Sequence, residues 1–537
     1  MKRLLPALGC LFLSAAPFSH AAETNAAPQT PTAPAPAPAP ANAVPAVPRG
    51  VAMTANSAES ITITWYSSPN NDATGYTVYG SDKADGEFTR LGSVTERTFT
   101  QDKLTPGTNR FFKVSATNAN GESAQSTVAQ GFSITPTPGA PFPVKVATNM
   151  CTTLGMPVLA DQKPLTGKLA DFVDDSDVTS CRLRKNCEIK IKLDPAISIE
   201  DAAYLLINFR SSCGQEEWSN DRFARTIKNY VVTESIDSTN GSDGTWQEVA
   251  KGTNALLDGV IVFPNHKPKW IGLRVTGPMD PANTKPEDRH LYPTDLILCR
   301  LNVFRSPPAG FRNDYWIFTG DSLVVQDMGG GFVKGRSAWF SDVIRKQHPE
   351  RYPIVVHAGR GGEMLKDTLP RMEKIMSELT PDNGTKEPTG TIVCWETGFN
   401  DVGLGASLGL GNRLIKSYEA AQKMCESKGL IIVPVRIEFS NYSLDPISME
   451  PTRYNIFYNT LAVNLGGVDV FCRNSAPYAC DPKTQLPFAD YWTYTRKNYA
   501  TVLVKKDSVH HTPAGNDGIN TLWAEVADKM IYTPQKP

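Results

Sequence analysis

The chain of 537 residues has almost no excess charge of either sign, with 54 Lys and Arg against 55 Asp and Glu and a formal charge of −1. No long basic run interrupts that balance, which disfavours an electrostatic grip on nucleic acid. Beyond the N-terminus no uninterrupted apolar run reaches the ~18 residues that a membrane helix needs, so the mature chain reads as soluble with no transmembrane segment. No His-Glu-x-x-His or Cys-x-x-Cys pair offers a zinc site. Gly359-Arg360-Gly361-Gly362 lacks the Lys-Ser/Thr ending of a phosphate-binding loop. Glycoside hydrolysis would need paired carboxylates, and the sequence does not place such a pair.

What is present begins with an export signal. Lys2 and Arg3 supply positive charge, Leu4 to Pro17 a short apolar region, and Ser19-His20-Ala21 a small-x-small cleavage site, so residues 1–21 are expected to be removed and the protein exported to the periplasm or beyond the cell. A lipoprotein acylated at Cys10 would have too short an apolar core. Residues 22–48 form a linker: 17 of the 23 residues from Ala26 to Pro48 are Ala or Pro, which extends as a spacer and builds no core. At roughly 150 residues per domain the remainder calls for about three modules. With Cys10 gone, nine cysteines remain in a compartment that permits disulfides. Cys472 and Cys480 are the expected pair, and Cys394 and Cys425 sit on apolar faces as thiols. Cys151, Cys181, Cys187, Cys213 and Cys299 allow at most two bridges of undetermined connectivity.

From 49 to 134 short alternating strands predict a small β-sandwich, with Ile61, Ile63 and Trp65 on one face. The stretches Ser60 to Trp65, Gly75 to Tyr79, Leu104 to Thr108 and Val114 to Asn118 resemble the fibronectin type III family, although Arg110 stands where that family places its corner tyrosine. From 144 to 305 a second β-rich segment includes Cys187 to Leu193, Tyr204 to Phe209, Tyr230 to Val232 and Trp270 to Val275. With Gly244-Thr245-Trp246 and the closing Leu301 to Phe304, it resembles discoidin-type galactose-binding jelly rolls. That resemblance implies a glycan ligand; a spacer without ligand is the alternative. Asp174, Asp175 and Asp177 are calcium candidates through their hard oxygens, against a plain solvated acidic loop.

From 313 to 532 apolar strands alternate with helix-period segments, which implies a mainly parallel, helix-covered sheet with functional residues at the carboxyl ends of its strands. Those ends read Gly320-Asp321-Ser322-Leu323, then His357 to Glu363, then Gly398-Phe399-Asn400-Asp401, and near the C-terminus Asp507-Ser508-Val509-His510-His511. The first triplet alone is weak evidence. The four blocks in order resemble the SGNH (GDSL-type) hydrolase family. That resemblance implies Ser322 as nucleophile, His510 as general base and Asp507 as its orienter. The oxyanion donors it implies are the Ser322 N–H, the Gly362 N–H and the Asn400 amide, with Gly320, Asp321 and Gly398 shaping the turns. His357 departs from the family's asparagine. An acyl-transfer site needs this set of hydroxyl, base, orienter and oxyanion donors.

The expected fold class is therefore multidomain: two β-sandwich domains, fibronectin type III-like and then galactose-binding-like, followed by an α/β SGNH hydrolase domain. The expected function is an exported serine esterase that removes O-acetyl or other short acyl groups from a polysaccharide and requires no cofactor. A lipase, thioesterase or acyltransferase with the same triad is the alternative enzyme. A cell-surface glycan-binding protein without activity is the alternative of another class.

Overall fold

The computed structural model describes residues 43–533 apart from 58, 67–71, 134–139, 185, 212–226, 228, 254, 258, 263–266, 278–294, 330–336, 380–390, 404–409, 440–466 and 505–508. The expected signal, nearly all of the spacer, Cys213 and Asp507 lie outside the described residues. No helix among the described residues is long and apolar enough to cross a membrane.

The first β-unit has two antiparallel sheets. One joins β1 (Arg49–Ser57), β2 (Ser60–Tyr66) and β5 (Thr98–Gln101). The other joins β4 (Thr89–Val94), β3 (Gly75–Ser81), β6 (Asn109–Asn118) and β7 (Gly121–Glu122), with β8 (Ala129–Phe132) paired to β6. Ile61, Ile63, Trp65, Tyr76, Val78, Phe112 and Val114 alternate inward to form a core of its own. Trp65 and Tyr76 meet edge to face at 5.3 Å between ring centroids. At the corner position Arg110 pairs with Asp82.

The middle unit is also a sandwich. Its outer sheet runs β14 (Gln247–Gly252), β13 (Asn229–Ser235), β16 (Trp270–Gly277), β11 (Glu188–Lys192), β9 (Val158–Ala160). Its inner sheet runs β10 (Cys181–Arg184), β17 (Asp295–Arg305), β12 (Leu205–Ser211), β15 (Gly259–Val262). Leu205, Ile207, Phe209, Leu301 and Val303 of the inner sheet pack with Ile189, Ile191, Val232, Ile271 and Leu273 of the outer one. Side chains alternate along a strand, so Leu206 and Phe304 project from the opposite face, and these two belong to the core of the next unit.

That next unit is an α/β layer. Its sheet of β19 (Ile354–Gly359), β18 (Tyr315–Gly320), β20 (Ile392–Trp395) and β21 (Ile431–Pro434) is parallel throughout, and every strand residue is buried. Uninterrupted apolar strands of this kind are what two covered faces require. Among the described residues seven helices follow or cover them: α1 (Ser322–Gly329), α2 (Phe340–Gln347), α3 (Leu365–Leu379), α4 (Phe399–Gly403), α5 (Leu410–Ser427), α6 (Tyr491–Val502) and α7 (Pro513–Ala527). Cys472 and Cys480 form a disulfide, whereas Cys151, Cys181, Cys187, Cys299, Cys394 and Cys425 are buried free thiols. Four of the five middle-segment cysteines, Cys151, Cys181, Cys187 and Cys299, are thus buried thiols.

The middle unit and the α/β layer share one core, in which Cys151, Tyr204, Leu206, Leu257 and Phe304 pack with the α/β residues. Polar bonds cross the same boundary. Asn149 donates to the carbonyls of Asp314 (3.1 Å) and Tyr352 (2.8 Å), Asn313 donates to the Tyr204 hydroxyl (2.7 Å), and the Glu378 carboxylate accepts from the Leu256 and Leu257 amides. Residues 313–537 expressed alone would expose this surface. Such a fragment is expected to bind a hydrophobic dye and melt without cooperativity, while 144–537 melts as one transition. A cooperative melt of 313–537 at the temperature of the longer chain would show that the shared core contributes nothing.

Candidate active site

In the parallel sheet Gly320 is the register partner of Gly359, and Thr319 that of Trp395. The three strands therefore end side by side, and the segments that follow them leave from one edge. Gly320 is required by close approach: a Cβ there would lie 2.7 Å from Val324 Cγ2 and 2.8 Å from the Glu396 carbonyl. The Arg360 amide donates to the Gly320 carbonyl at 2.8 Å and ties the first segment to the second. Asp321 then accepts from the Leu323 amide (Oδ1, 3.0 Å) and so closes the turn into α1, whose first residue is Ser322.

The C-terminal segment reaches Ser322 from the far end of the chain. His510 Nε2 lies 3.0 Å from Ser322 Oγ. That distance is set by a clamp one turn further along α1. Gln326 Nε2 donates to the His511 carbonyl (2.7 Å), the His511 amide donates back to Gln326 Oε1 (2.9 Å), and His511 Nδ1 lies 3.0 and 3.1 Å from the two oxygens of Asp327. His511 and Asp327 are fully buried. The helix that presents Ser322 thus holds the backbone beside His510, and the two adjacent histidines have separate partners. Of the expected site, Asp507 alone lies outside the described residues.

The other two segments complete the pocket edge. Arg371 of α3 holds the second one, with Nε 2.6 Å and Nη2 2.5 Å from the Glu363 oxygens and Nη1 bonded to the Ala358 carbonyl. Asn400 Nδ2 donates to Asp321 Oδ2 (3.2 Å) and to the Glu363 carbonyl (3.0 Å), so it links all three segments. Gly362 (φ +71°) and Gly398 (φ +102°) adopt backbone conformations that favour glycine. Within the second segment a Cβ at Gly361 would lie 3.9 Å from Ser322 Cβ, whereas one at Gly362 would meet nothing within 4 Å. His357 is buried in β19, where burial, aided by Arg210 and Arg371, lowers its pKa to about 3.

Asp174, Asp175 and Asp177 are not a calcium site in this structure. Asp175 and Asp177 are buried against arginine: Arg300 lies 3.1 Å from Asp175 Oδ1 and 2.9 Å from Asp177 Oδ2, and Arg345 lies 3.1 Å from Asp175 Oδ2. Guanidinium groups already supply the countercharge, and no group of three or more ligating side chains among the described residues is arranged to hold a metal ion. Asp174 is used locally, accepting from Ser176 and Thr179.

Four carboxyl groups surround the buried side of the site. Burial pushes Asp321 up to about 6, partly opposed by the Leu323 amide and His510. Glu396, which follows β20, and Glu438, which follows β21, are fully buried with no hydrogen-bond partner on either oxygen. Burial raises both well above the ordinary carboxyl range, and repulsion from Asp321 adds to it. Burial therefore favours the neutral acid at both. The sequence offers no spacing that singles out Glu396, Glu438, Gln326 or Asp327, since each acts through a neighbour distant in sequence.

Residues 46–132 match the family model described as Fibronectin type III domain, and this part of the expected 49–134 segment is such a domain. Solved structures similar to that stretch include a Fn3-like protein from Clostridium thermocellum, 27% identical, covering 17% of this chain and 92% of that one with a TM-score of 0.15. The FN5 domain of Drosophila Lar is 22% identical, covering 17% of this chain and 98% of that one, also with a TM-score of 0.15. No curated protein matches the chain.

The neutral glutamates give a pH signature. A carboxyl whose pKa is raised by folding stabilises the fold below its unfolded value of about 4.3, and that contribution is lost as pH rises toward the folded value. Glu396→Gln keeps the shape and removes the titration. The variant is expected to melt within about 1 °C of the parent at pH 4.5 and roughly 2 °C or more above it at pH 8. Parallel melting curves across that range would contradict a protonated Glu396.

Proposed function

We propose that residues 313–532 are a serine ester hydrolase of the SGNH type. The observation that carries this reading is the 3.0 Å approach of His510 Nε2 to Ser322 Oγ at the carboxyl edge of a parallel sheet. An imidazole nitrogen at hydrogen-bond distance from a hydroxyl can take its proton as the oxygen attacks. In the reaction Ser322 Oγ adds to the ester carbonyl and its proton passes to His510 Nε2. The carbonyl oxygen becomes an oxyanion that meets the Ser322 amide, the Gly361-Gly362 backbone and the Asn400 side chain. His510 then returns the proton to the departing alcohol, which leaves an acyl ester on Ser322. Water repeats the sequence, with His510 again as base, and releases the acid. Asp507 is assigned as orienter of His510 by the motif alone.

Asn400 has a cost to meet in this scheme. Both of its amide bonds are made within the protein, the longer one to Asp321. Serving the oxyanion means exchanging the Asp321 bond for one to the substrate. Protonation of Asp321, whose carboxyl is already shifted to about 6, lowers the cost of that exchange.

The substrate reading is an acetylated or otherwise short-acylated polysaccharide met outside the cytoplasm. Its support is the tandem of β-units before the α/β layer, together with the export-like N-terminus, and both features belong to the sequence. The test is acetate release from a panel of acetylated glycans beside long-chain p-nitrophenyl esters. Ser322→Ala is expected to lose nearly all turnover with an unchanged melt, because no core atom is removed. Parent-level turnover in that variant would sink the proposal. Asn400→Ala is expected to lower turnover by about a hundredfold to a thousandfold, the effect of losing one oxyanion donor, with a smaller change in KM. Unchanged turnover would restrict Asn400 to its structural link between Asp321 and Glu363.

A further inference from the structure

In the inner sheet of the middle unit, Leu206 is the register partner of Phe304, Asn208 of Asn302 and Arg210 of Arg300. All six point away from the sandwich core toward the α/β layer. Arg210 and Arg300 are 3% and 0% exposed, so two cations stand opposite each other across a ladder, an arrangement that repels unless a countercharge lies between them. Asp177 lies there, with Oδ1 3.3 Å from Arg210 Nε and Oδ2 2.9 Å from Arg300 Nη2. Ser341 of α2 completes the group by accepting from Arg300 at 2.7 Å and donating to Asp177 at 2.5 Å. Asp177 thereby joins the sheet to α2, and Arg210 retains a guanidinium edge that reaches further. Its Nη2 donates to the carbonyl of Met328, in the last turn of α1, and its plane lies 5.0 Å over the Trp339 ring.

An eight-residue helix is too short to be stable through its own hydrogen bonds. The ends of α1 must be held from outside. The Asp327 carbonyl is bonded by Asn520 of α7 at 2.9 Å and the Met328 carbonyl by Arg210. A guanidinium at this end also opposes the negative pole of the helix. Because Gln326 and Asp327 carry the His510 segment with them, an axial shift of α1 would move Ser322 and His510 together. What it would change is their position relative to the Gly361-Gly362 and Asn400 segments, which are anchored separately by Arg371 and Asp401.

We propose that Arg210 of the middle unit is a positioning residue for the nucleophile, fixing Ser322 against the oxyanion donors by holding the C-terminal end of α1. The inference rests on the esterase reading above. Its test is Arg210→Lys in the full chain, because lysine keeps the positive charge beside Asp177 but has no second nitrogen to reach the Met328 carbonyl. Arg210→Gln is the second variant. Arg345→Lys is the control, since Arg345 joins the same charge group without touching α1. For p-nitrophenyl acetate hydrolysis, kcat is expected to fall at least tenfold in Arg210→Lys, with KM within about twofold and the pH profile unchanged, because the Ser322–His510 pair stays intact. Amide hydrogen exchange in 325–329 is expected to accelerate at least tenfold, and Arg345→Lys to show neither effect. Unchanged exchange in α1, an equal fall of kcat in the control, or failure of both Arg210 variants to fold would overturn the proposal and leave Arg210 a stability residue. Absence of ester turnover in the parent chain would instead overturn the esterase reading, and the exchange measurement on α1 distinguishes the two failures.

Discussion

A β-sheet has two faces, and the inner sheet of the middle unit buries both. On one side Leu205, Ile207, Phe209, Leu301 and Val303 close the sandwich, and on the other Leu206 and Phe304 enter the α/β core. Once the second face is dry, every polar residue on it must be satisfied inside the protein. Arg210, Asn302 and Arg300 can then remain only because Asp175 and Asp177 meet them, Asn302 donating to Asp175 at 2.7 Å. Burial alone would lower the Arg300 pKa, but Asp177 and Asp175 outweigh it and hold the guanidinium charged. An ion group of this kind tolerates replacement by well-packed apolar residues better than loss of one member. The boundary between the middle unit and the α/β layer is consequently a packed interior and not a hinge.

The same economy governs the site. The short helix α1 carries Ser322 at its start, Gln326 and Asp327 one turn later, and the carbonyl held by Arg210 at its end. Three elements distant in sequence meet on these eight residues: the His510 segment, α7 through Asn520, and β12 through Arg210. Asp321, Asp327, Glu396 and Glu438 crowd this region, and four negative charges could not persist together in a dry interior. Burial and repulsion from Asp321 favour the neutral acid at Glu396 and Glu438, which relieves that crowding.

Much of this was legible in the sequence wherever a local pattern carries it. Alternation marked Ile61, Ile63 and Trp65 as one face of a sandwich, and the strand-helix rhythm after Asn313 marked a parallel sheet with Ser322 at a strand end. The run Tyr204 to Phe209 held a further signal. Apart from Asn208 it is apolar on both faces, and a strand of that kind is one with two buried faces, so part of the packing of the α/β layer upon it was present in the pattern. Its partner could not be read, because register such as Arg210 opposite Arg300 depends on contacts across ninety residues of chain. The calcium reading of Asp174, Asp175 and Asp177 failed for that reason: the acidic run is local, and the arginines that use it are remote. Gly361 and Gly362 are adjacent and equally free of side chains, so only the fold distinguishes the one whose Cβ would approach Ser322.

The two β-units before the α/β layer therefore differ in kind. The fibronectin type III domain closes its own core and meets the α/β layer through polar contacts such as Arg496 with the Thr64 hydroxyl and Arg473 with the Ser133 carbonyl. The middle unit has given up one sheet face to the α/β core, so a glycan cannot be held there. The face left to it is the outside of the sheet that carries β11, β13 and β16, where Lys190 lies 4.1 Å over the Trp246 ring and the indole packs so closely on Gly272 that a Cβ there would lie 3.3 Å from Trp246 Cζ3.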